Sequence, residues 1–126
     1  ESRDICEPLA RDVGETVKTG RTHLMDAMPV TLGQEMGAWR TQLEDAVTRL
    51  QSCRPRLHAL AQGGTAVGTG VNANPQFAPK VAALLSQETG LDLRPARDFF
   101  AALASQDTAV ELSGHLRTLA VALMKI

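Results

Sequence analysis

The sequence predicts an all-α fold, a long-helix bundle, on two observations. Hydrophobic residues make up 44% of the 126 residues, whereas aromatic residues make up 3%. Alanine and leucine dominate the hydrophobic set, which favours helices over sheets. In addition, one stretch spaces its apolar residues alternately by four and three, as helices that pack lengthwise against other helices do.

The N-terminal part is predicted to be a helix over residues 1–17, because apolar residues recur there along one helical stripe. Gly20 ends this pattern. Residues 18–30 are expected to be irregular or extended, since no alternating strand pattern longer than a few residues occurs in the chain. The prediction for this part is therefore one helix followed by an irregular or extended segment.

The strongest local signal begins at Thr31, which together with Gln34 fits a capping box at the start of a helix. The apolar positions after it follow the 4-3 spacing: Leu32, Met36, Trp39, Leu43, Ala46, Leu50, Cys53, Leu57 and Leu60. This pattern predicts a helix of about 30 residues, about 45 Å long. Pro55 removes one backbone hydrogen bond, but the heptads continue past it, so a kink is expected there rather than an end.

The remaining predicted elements are shorter and separated by glycine or proline. They are a small-residue loop at 63–75, a helix from Pro75 to Thr89 with Asn74 as its N-cap and Gly90 after it, a loop at 91–97, a short helix at 97–104 and a last helix from Asp107 to Ile126. Phe99 and Phe100 are interpreted as core residues.

Composition excludes several classes of function. The net charge of −1 provides no basic field for nucleic acid or an anionic membrane surface, and no apolar run reaches the roughly 18–20 residues that span a bilayer. Cys6 and Cys53 lie far apart and are expected to be thiols in a reducing cytoplasm, although one disulfide is arithmetically possible. Without Cys-x-x-Cys or His-x-x-x-His spacing, no metal site and no cofactor are expected.

Both ends of the chain suggest a piece of a longer protein. Glu1 is not a methionine and begins in the middle of a helical pattern, and the last helix runs to Ile126 without a capping residue, glycine or proline. Residues 1–126 are therefore interpreted as a partial central helical-bundle domain whose N-terminal and C-terminal neighbour domains are absent.

The polar segment before the long helix is the main candidate for chemistry. His23 and Asp26 are three residues apart, so on a helical turn the carboxylate would orient the imidazole. The alternative is an exposed or structural loop histidine. His58 and His115 lie on helical patterns and are not expected to be site residues.

The glycine-rich loop GGTAVGTGVNANP at 63–75 is a second candidate. It lacks the Gly-Lys-Ser/Thr ending of a phosphate-binding P-loop. The alternative is a tight turn in which glycines avoid steric conflict. Thr65, Thr69 and Asn72 are still candidate hydrogen-bond donors to a carboxylate. The charged residues of the long helix are interpreted as a solvated face or as inter-helix salt bridges.

Three segments in this order and spacing carry a resemblance to a known family: KTGRTHLMDAMPVTLGQE, LAQGGTAVGTGVN and FAALASQDTAVELSGHLRTLAVALMKI. Together they resemble the central region of class II fumarases, members of the fumarase/aspartase superfamily. The resemblance covers essentially the whole chain but only about a quarter of a full-length family member. His23 matters here, because aspartases resemble this segment closely but carry glutamine at that place.

The resemblance implies the central domain of the fumarase/aspartase-like fold and the reversible addition of water to fumarate, giving L-malate, a reaction of the tricarboxylic acid cycle. It implies that His23 is a catalytic acid/base and that Thr22 binds a substrate carboxylate. It further implies a homotetramer built around a helical bundle, in which three subunits contribute to each active site. The isolated chain is therefore expected to be inactive.

Two other functions remain open at this stage. The chain would also suit a helical oligomerisation module without chemistry of its own, since the heptad pattern alone predicts association. A related superfamily lyase such as aspartase is the other alternative, and His23 disfavours it.

Overall fold

The computed structural model describes residues 8–9 and 11–126. The helices are α1 Leu32–Leu57, α2 Phe77–Thr89, α3 Phe99–Ala104 and α4 Asp107–Lys125, and the strands are β1 Val17–Thr22, β2 Met25–Thr31, β3 Ala59–Leu60 and β4 Arg94–Pro95. The chain divides into two compact units, Glu1–Arg49 with His115–Ile126 and Leu50–Gly114. Within the described residues, no helix is long and apolar enough to cross a membrane.

The prediction of an all-α fold is confirmed only in part: the chain is mainly helical, but β3 pairs with β4, and β1 and β2 form an antiparallel hairpin where an irregular or extended segment was expected. The two strands are joined by a turn of two residues, His23 and Leu24, both with positive φ. Such turns are usually recognised by Asn-Gly or a similar pair, and Pro29 inside β2 further weakens the strand pattern. Sequence reasoning therefore had no local signal for the hairpin.

The first predicted helix also ends earlier than expected. Residues 8–9 and 11–12 are helical, but the strand β1 already begins at Val17. The start of that helix and the side chain of Cys6 lie outside the described residues. The predicted helix had been extended to residue 17 because Val17 fits the apolar stripe, whereas this side chain is 69% exposed.

The predicted capping box at the start of α1 is confirmed. The Gln34 amide donates to the Thr31 hydroxyl at 3.1 Å, and the Thr31 amide donates to Oε1 of Gln34 at 2.9 Å. Two further amides of the first turn bond back to the chain before β1, from Leu32 to the Thr16 carbonyl at 2.8 Å and from Gly33 to the Gly14 carbonyl at 3.3 Å. The helix start is thus tied to both ends of the hairpin segment.

The heptad positions of α1 form its less exposed face. Leu43 and Ala46 are buried in the first unit and Cys53 in the second, and the other predicted positions are half-buried. Charged pairs one helical turn apart occupy the exposed surface, Arg40 with Glu44 and Asp45 with Arg49. These charges therefore form a solvated face, whereas Arg56 near the end of α1 makes an inter-helix salt bridge with Glu111, so both predicted kinds of interaction occur.

The prediction that the helix continues past Pro55 through the last heptad position, Leu60, is wrong, because α1 ends at Leu57, two residues after Pro55. The next residues form β3, which pairs in parallel with β4. The guanidinium of Arg94, in β4, donates to the Pro55 carbonyl at 3.1 Å. Pairing with a strand 35 positions further along therefore competes with the last heptad, and a heptad pattern contains no information about such a partner.

The second unit largely follows the prediction. Gly90 ends α2 with φ of 70° and donates its amide to the Ser86 carbonyl at 2.9 Å, as a left-handed C-terminal cap does. The N-terminus was predicted two residues too early, because Asn74 accepts from the Gln76 amide in a turn and α2 begins only at Phe77. Asp98 caps α3 through the amides of Phe100 and Ala101.

One ion pair links the end of α1 to α4 within this second unit. Arg56 donates two hydrogen bonds to the carboxylate of Glu111, at 2.7 and 2.5 Å. This bidentate pairing raises the pKa of the Arg56 guanidinium above its ordinary value. The pair connects two helices that are 50 residues apart in the chain.

We expect Thr31→Ala to destabilise the protein by about 1 kcal/mol, because the amide of Gln34 loses its capping oxygen. Thr41→Ala is the matched control in the same helix. Within the described residues, the Thr41 hydroxyl bonds back to the Gly37 carbonyl one turn earlier, so its removal should be neutral or slightly stabilising. Thermal or urea unfolding measures both changes, and equal values for the two variants would contradict the role of the capping box.

Candidate active site

The hairpin presents the two predicted site residues side by side. Thr22 is the last residue of β1, and His23 is the first residue of the two-residue turn. Both side chains are exposed. Thr22 pairs with Met25 across the turn, so the hydroxyl is carried by the paired strands and the imidazole by the turn that joins them.

The turn that carries His23 has an uncommon backbone conformation. His23 and Leu24 have φ of 52° and 61°, which is the signature of a type I′ turn. For a residue with a side chain, the left-handed conformation costs about 1–2 kcal/mol. Leu24 is 100% exposed, so no packing of its side chain within the described residues offsets this cost. Such strain often marks a functional position.

A β-bulge sits between the turn and the base of the hairpin. Thr19 pairs with Pro29 and Arg21 with Asp26, so the single residue Gly20 lies opposite two residues of β2. A Cβ atom at Gly20 would stand 2.6 Å from the Met28 carbonyl oxygen. Glycine is therefore required here, and the bulge sets the direction in which the tip of the hairpin leaves its base.

The predicted pairing of Asp26 with His23 is not what the structure contains. The segment is a hairpin instead of a helical turn, and Asp26 lies directly across from Arg21. Its Oδ1 accepts from Nε of Arg21 at 3.3 Å, with the two side chains 78% and 71% exposed. The Asp26 carboxylate therefore forms an ion pair between the two strands next to the turn. The prediction from spacing was wrong because it assumed that His23 and Asp26 lie on a helical turn.

A cavity of about 690 Å³ lies beside the hairpin, between β1 and the first turn of α1. Lys18, Arg21, Gln34 and Glu35 are among the polar residues that line it. Nζ of Lys18 lies 2.5 Å from Oε2 of Glu35. Sequence reasoning did not single out these residues, because the two charges are 17 positions apart and no periodicity connects them.

The other candidates of the sequence are found elsewhere. His58, in the second unit, is half-buried in a cavity of about 360 Å³ with Arg54, Asp92 and Arg94, and His115, in the first, is half-buried on α4. Arg54 lies in the last turn of α1 and Arg94 donates to the Pro55 carbonyl of that turn, where positive charge complements the helix dipole. Among the described residues, no group of three or more His, Cys, Asp or Glu side chains could hold a metal ion.

The glycine-rich loop supports the interpretation as a tight turn. Gly68 is buried with φ of 105°, and a Cβ there would lie 2.9 Å from the backbone nitrogen of Phe100. Thr65 and Asn72 also have positive φ. Phe99 is half-buried and Phe100 is 56% exposed, so the expectation that both are core residues is wrong for Phe100.

Comparison with known proteins identifies the class. Residues 3–126 match the family model described as lyase, so the chain belongs to this lyase family. It is 56% identical over 117 residues, 93% of its length, to fumarate hydratase class II 2 of Pseudomonas aeruginosa. It is 54% identical over 120 residues, 95% of its length, to fumarate hydratase class II of Thermus aquaticus. In both comparisons the chain spans 26% of the length of the relative.

A solved structure shows the same fold. The crystal structure of recombinant class II fumarase from Schistosoma mansoni superposes with a TM-score of 0.94 at 36% identity, covering 98% of this chain and 29% of that one. The described chain therefore has the fumarase/aspartase-like fold, and the resemblance to class II fumarases drawn from the sequence is confirmed.

Proposed function

We propose that this chain is the central part of a fumarate hydratase, which reversibly adds water to fumarate to give L-malate as an enzyme of the tricarboxylic acid cycle. The observation that supports this most is the exposed Thr22-His23 pair at the tip of an anchored hairpin. It stands in a chain 56% identical to a protein named fumarate hydratase.

The chemistry requires three kinds of group. In the dehydration direction a proton leaves the carbon beside a carboxylate, which generates a dianionic aci-carboxylate, and hydroxide leaves the neighbouring carbon. A base, an acid and fixed hydrogen-bond donors around the carboxylates are needed. We assign a proton-transfer role to His23, since histidine is the side chain most often used for it. The Thr22 hydroxyl is assigned as a donor to a substrate carboxylate.

The remaining groups come from outside these 126 residues in this proposal. Residues 1–126 form a partial central domain, and the complete protein is a homotetramer in which helices of several subunits form a bundle. Exposed apolar residues of α4 in the first unit support this assembly, because such patches mark interfaces: Leu116, Val121, Leu123 and Met124. Size measurement of the complete protein in solution tests it, and a monomer with full activity would contradict it.

A cytoplasmic location is part of the same proposal. Cys53 is a free thiol, is fully buried and donates to the Leu50 carbonyl at 3.1 Å. A buried, unbridged thiol is typical of proteins from a reducing compartment. Fractionation of the native cells would place the activity in or outside the cytoplasm.

The proposed function is tested on the complete protein and on the isolated 1–126 chain. Loss of the ultraviolet absorbance of fumarate reports hydration, and release of ammonia from L-aspartate reports the competing lyase reaction. We expect hydration by the complete protein, no ammonia release and no activity of the isolated chain. Ammonia release without hydration would favour an aspartase. Inactivity of the complete protein in both assays would favour the remaining alternative, a helical oligomerisation module without chemistry of its own.

A further inference from the structure

The base of the hairpin is connected to α1 by backbone and side-chain interactions. The amides of Leu32 and Gly33 bond to the carbonyls of Thr16 and Gly14, just before β1 begins. These bonds hold the backbone where the chain enters and leaves the hairpin. Both bonds end on carbonyls that lie before the first residue of β1, so they hold the base of the hairpin, whereas the strand itself is held by its pairing with β2 and by its side chains.

The ion pair between Lys18 and Glu35 joins β1 itself to the first turn of α1. At this position it can fix the angle between the strand and the helix. Lys18 is the second residue of β1, and Glu35 lies in the first turn of α1. Their charged atoms are 2.5 Å apart, and each side chain is 38% exposed. The Arg21–Asp26 pair near the tip is longer, at 3.3 Å, and about twice as exposed. Because partial burial reduces the screening of charges by solvent, the Lys18–Glu35 pair is expected to hold its two side chains together more strongly than the Arg21–Asp26 pair does.

The position of Glu35 strengthens this ion pair for a second reason. A carboxylate in the first turn of a helix is favoured by the positive end of the helix dipole. Glu35 is therefore held at the helix start, and Lys18 is held to Glu35. The ion pair joins strand to helix, whereas Arg21–Asp26 joins only one strand to the other.

The angle between β1 and α1 is important because His23, at the tip of the hairpin, lies far from the Lys18–Glu35 ion pair. Five residues separate Lys18 from His23, which is about 17 Å along an extended strand. A rotation of about 3° at the base would move the tip by about 1 Å over this length. Misplacement of a catalytic group by about 1 Å can lower a rate by about 100-fold. A small change in the ion pair is therefore amplified at the imidazole.

We propose that Lys18 and Glu35 are positioning residues, whose ion pair sets the orientation of the hairpin and thereby the place of His23 in the reaction. This inference rests on the proposed function, because it assigns His23 a role in proton transfer. Neither residue touches the substrate in this proposal. They act through the angle of β1, which predicts that kcat falls more than KM rises when the pair is broken.

The test uses four variants of the complete protein: Glu35→Gln, Lys18→Met, the charge exchange Lys18→Glu/Glu35→Lys, and Glu44→Gln as control. Glu44 also pairs with an arginine on α1, but one turn apart on the exposed surface. We expect kcat to fall about 10–100-fold in the two single variants and to stay within twofold in the control. The charge exchange should recover most of the loss, though not all, because a lysine is unfavourable at a helix start.

Hydrogen–deuterium exchange of residues 17–31 gives a readout that is independent of activity. The hairpin should exchange faster in both single variants, and the control should match the unchanged protein. If a single variant does not assemble, the charge exchange still decides, since restored activity requires opposite charges at the two positions.

Two results would overturn the inference in different ways. If the unchanged protein hydrates fumarate and His23→Gln abolishes this activity, but Glu35→Gln keeps wild-type kcat and exchange, the positioning role fails and the proposed function stands. A charge exchange as inactive as the single variants also rejects the pairing. If the unchanged complete protein does not hydrate fumarate, both the function and the inference fail.

Discussion

Replacing His23 by glutamine in the complete protein is expected to lower kcat for fumarate hydration by about 10²–10⁴-fold. The glutamine amide has similar length and polarity but does not take up or release a proton near neutral pH. The side chain is exposed, so its replacement removes no buried contact among the described residues. The rate is followed by the loss of fumarate absorbance.

Two further variants separate the chemistry of His23 from its conformation. Asparagine tolerates the left-handed backbone that His23 adopts, so His23→Asn should keep the turn and still be inactive. His58→Gln makes the same chemical change at a half-buried histidine of the second unit and should retain activity within a few-fold. Activity of His23→Asn close to wild type would refute a proton-transfer role.

Replacing Gly68 by alanine is expected to give the largest loss of stability. The backbone there has φ of 105°, and the added methyl group would meet the nitrogen and Cα of Phe100 at 2.9 and 3.0 Å. The left-handed side of φ space costs about 1–2 kcal/mol, and forcing backbone atoms apart costs about 1–3 kcal/mol more. Together these are a large part of the ~5–15 kcal/mol that stabilises a typical domain.

Gly90→Ala is the control that separates these two costs. Gly90 has φ of 70°, but apart from its two chain neighbours no described residue lies within 4 Å of its added Cβ. Its replacement should therefore cost only the conformational part, about 1–2 kcal/mol. Thermal unfolding of both variants measures the difference. Equal shifts of the unfolding temperature in the two variants would mean that the Phe100 backbone moves aside without an energetic cost. A Gly68→Ala variant as stable as the unchanged protein would reopen the interpretation of this loop as a ligand-binding loop.

Local signals predicted the parts of the fold that depend on nearby residues. Thr31 and Gln34, three positions apart, each accept a hydrogen bond from the backbone amide of the other. The amide of Gly90 donates to a carbonyl of the preceding helical turn. The heptads predicted the less exposed face of α1 because helical periodicity decides which side chains share a face. Each of these inferences needed no information beyond one or two helical turns.

The parts that were missed depend on partners far away in the chain. The end of α1 at Leu57 is followed by β3, whose partner β4 lies about 35 residues later. The hairpin tip has a His-Leu turn without the glycine or asparagine that usually reveals such turns. Lys18 and Glu35 meet only because the hairpin folds back onto the helix. The sequence thus led to Thr22 and His23 through resemblance, but not to the structure that holds them.

The capped start of α1 limits how a dianionic substrate can be recognised. Free amides at a helix N-terminus commonly bind carboxylates and phosphates. Here the amides of Leu32, Gly33 and Gln34 already donate to the Thr16 carbonyl, the Gly14 carbonyl and the Thr31 hydroxyl. The N-terminus of this helix therefore contributes the electrostatic field of its dipole, but none of these three backbone amides remains as a hydrogen-bond donor to a ligand. If the proposed function holds, recognition of the substrate carboxylates in this part of the protein would fall to side chains, whose substitution would change selectivity without altering the helix.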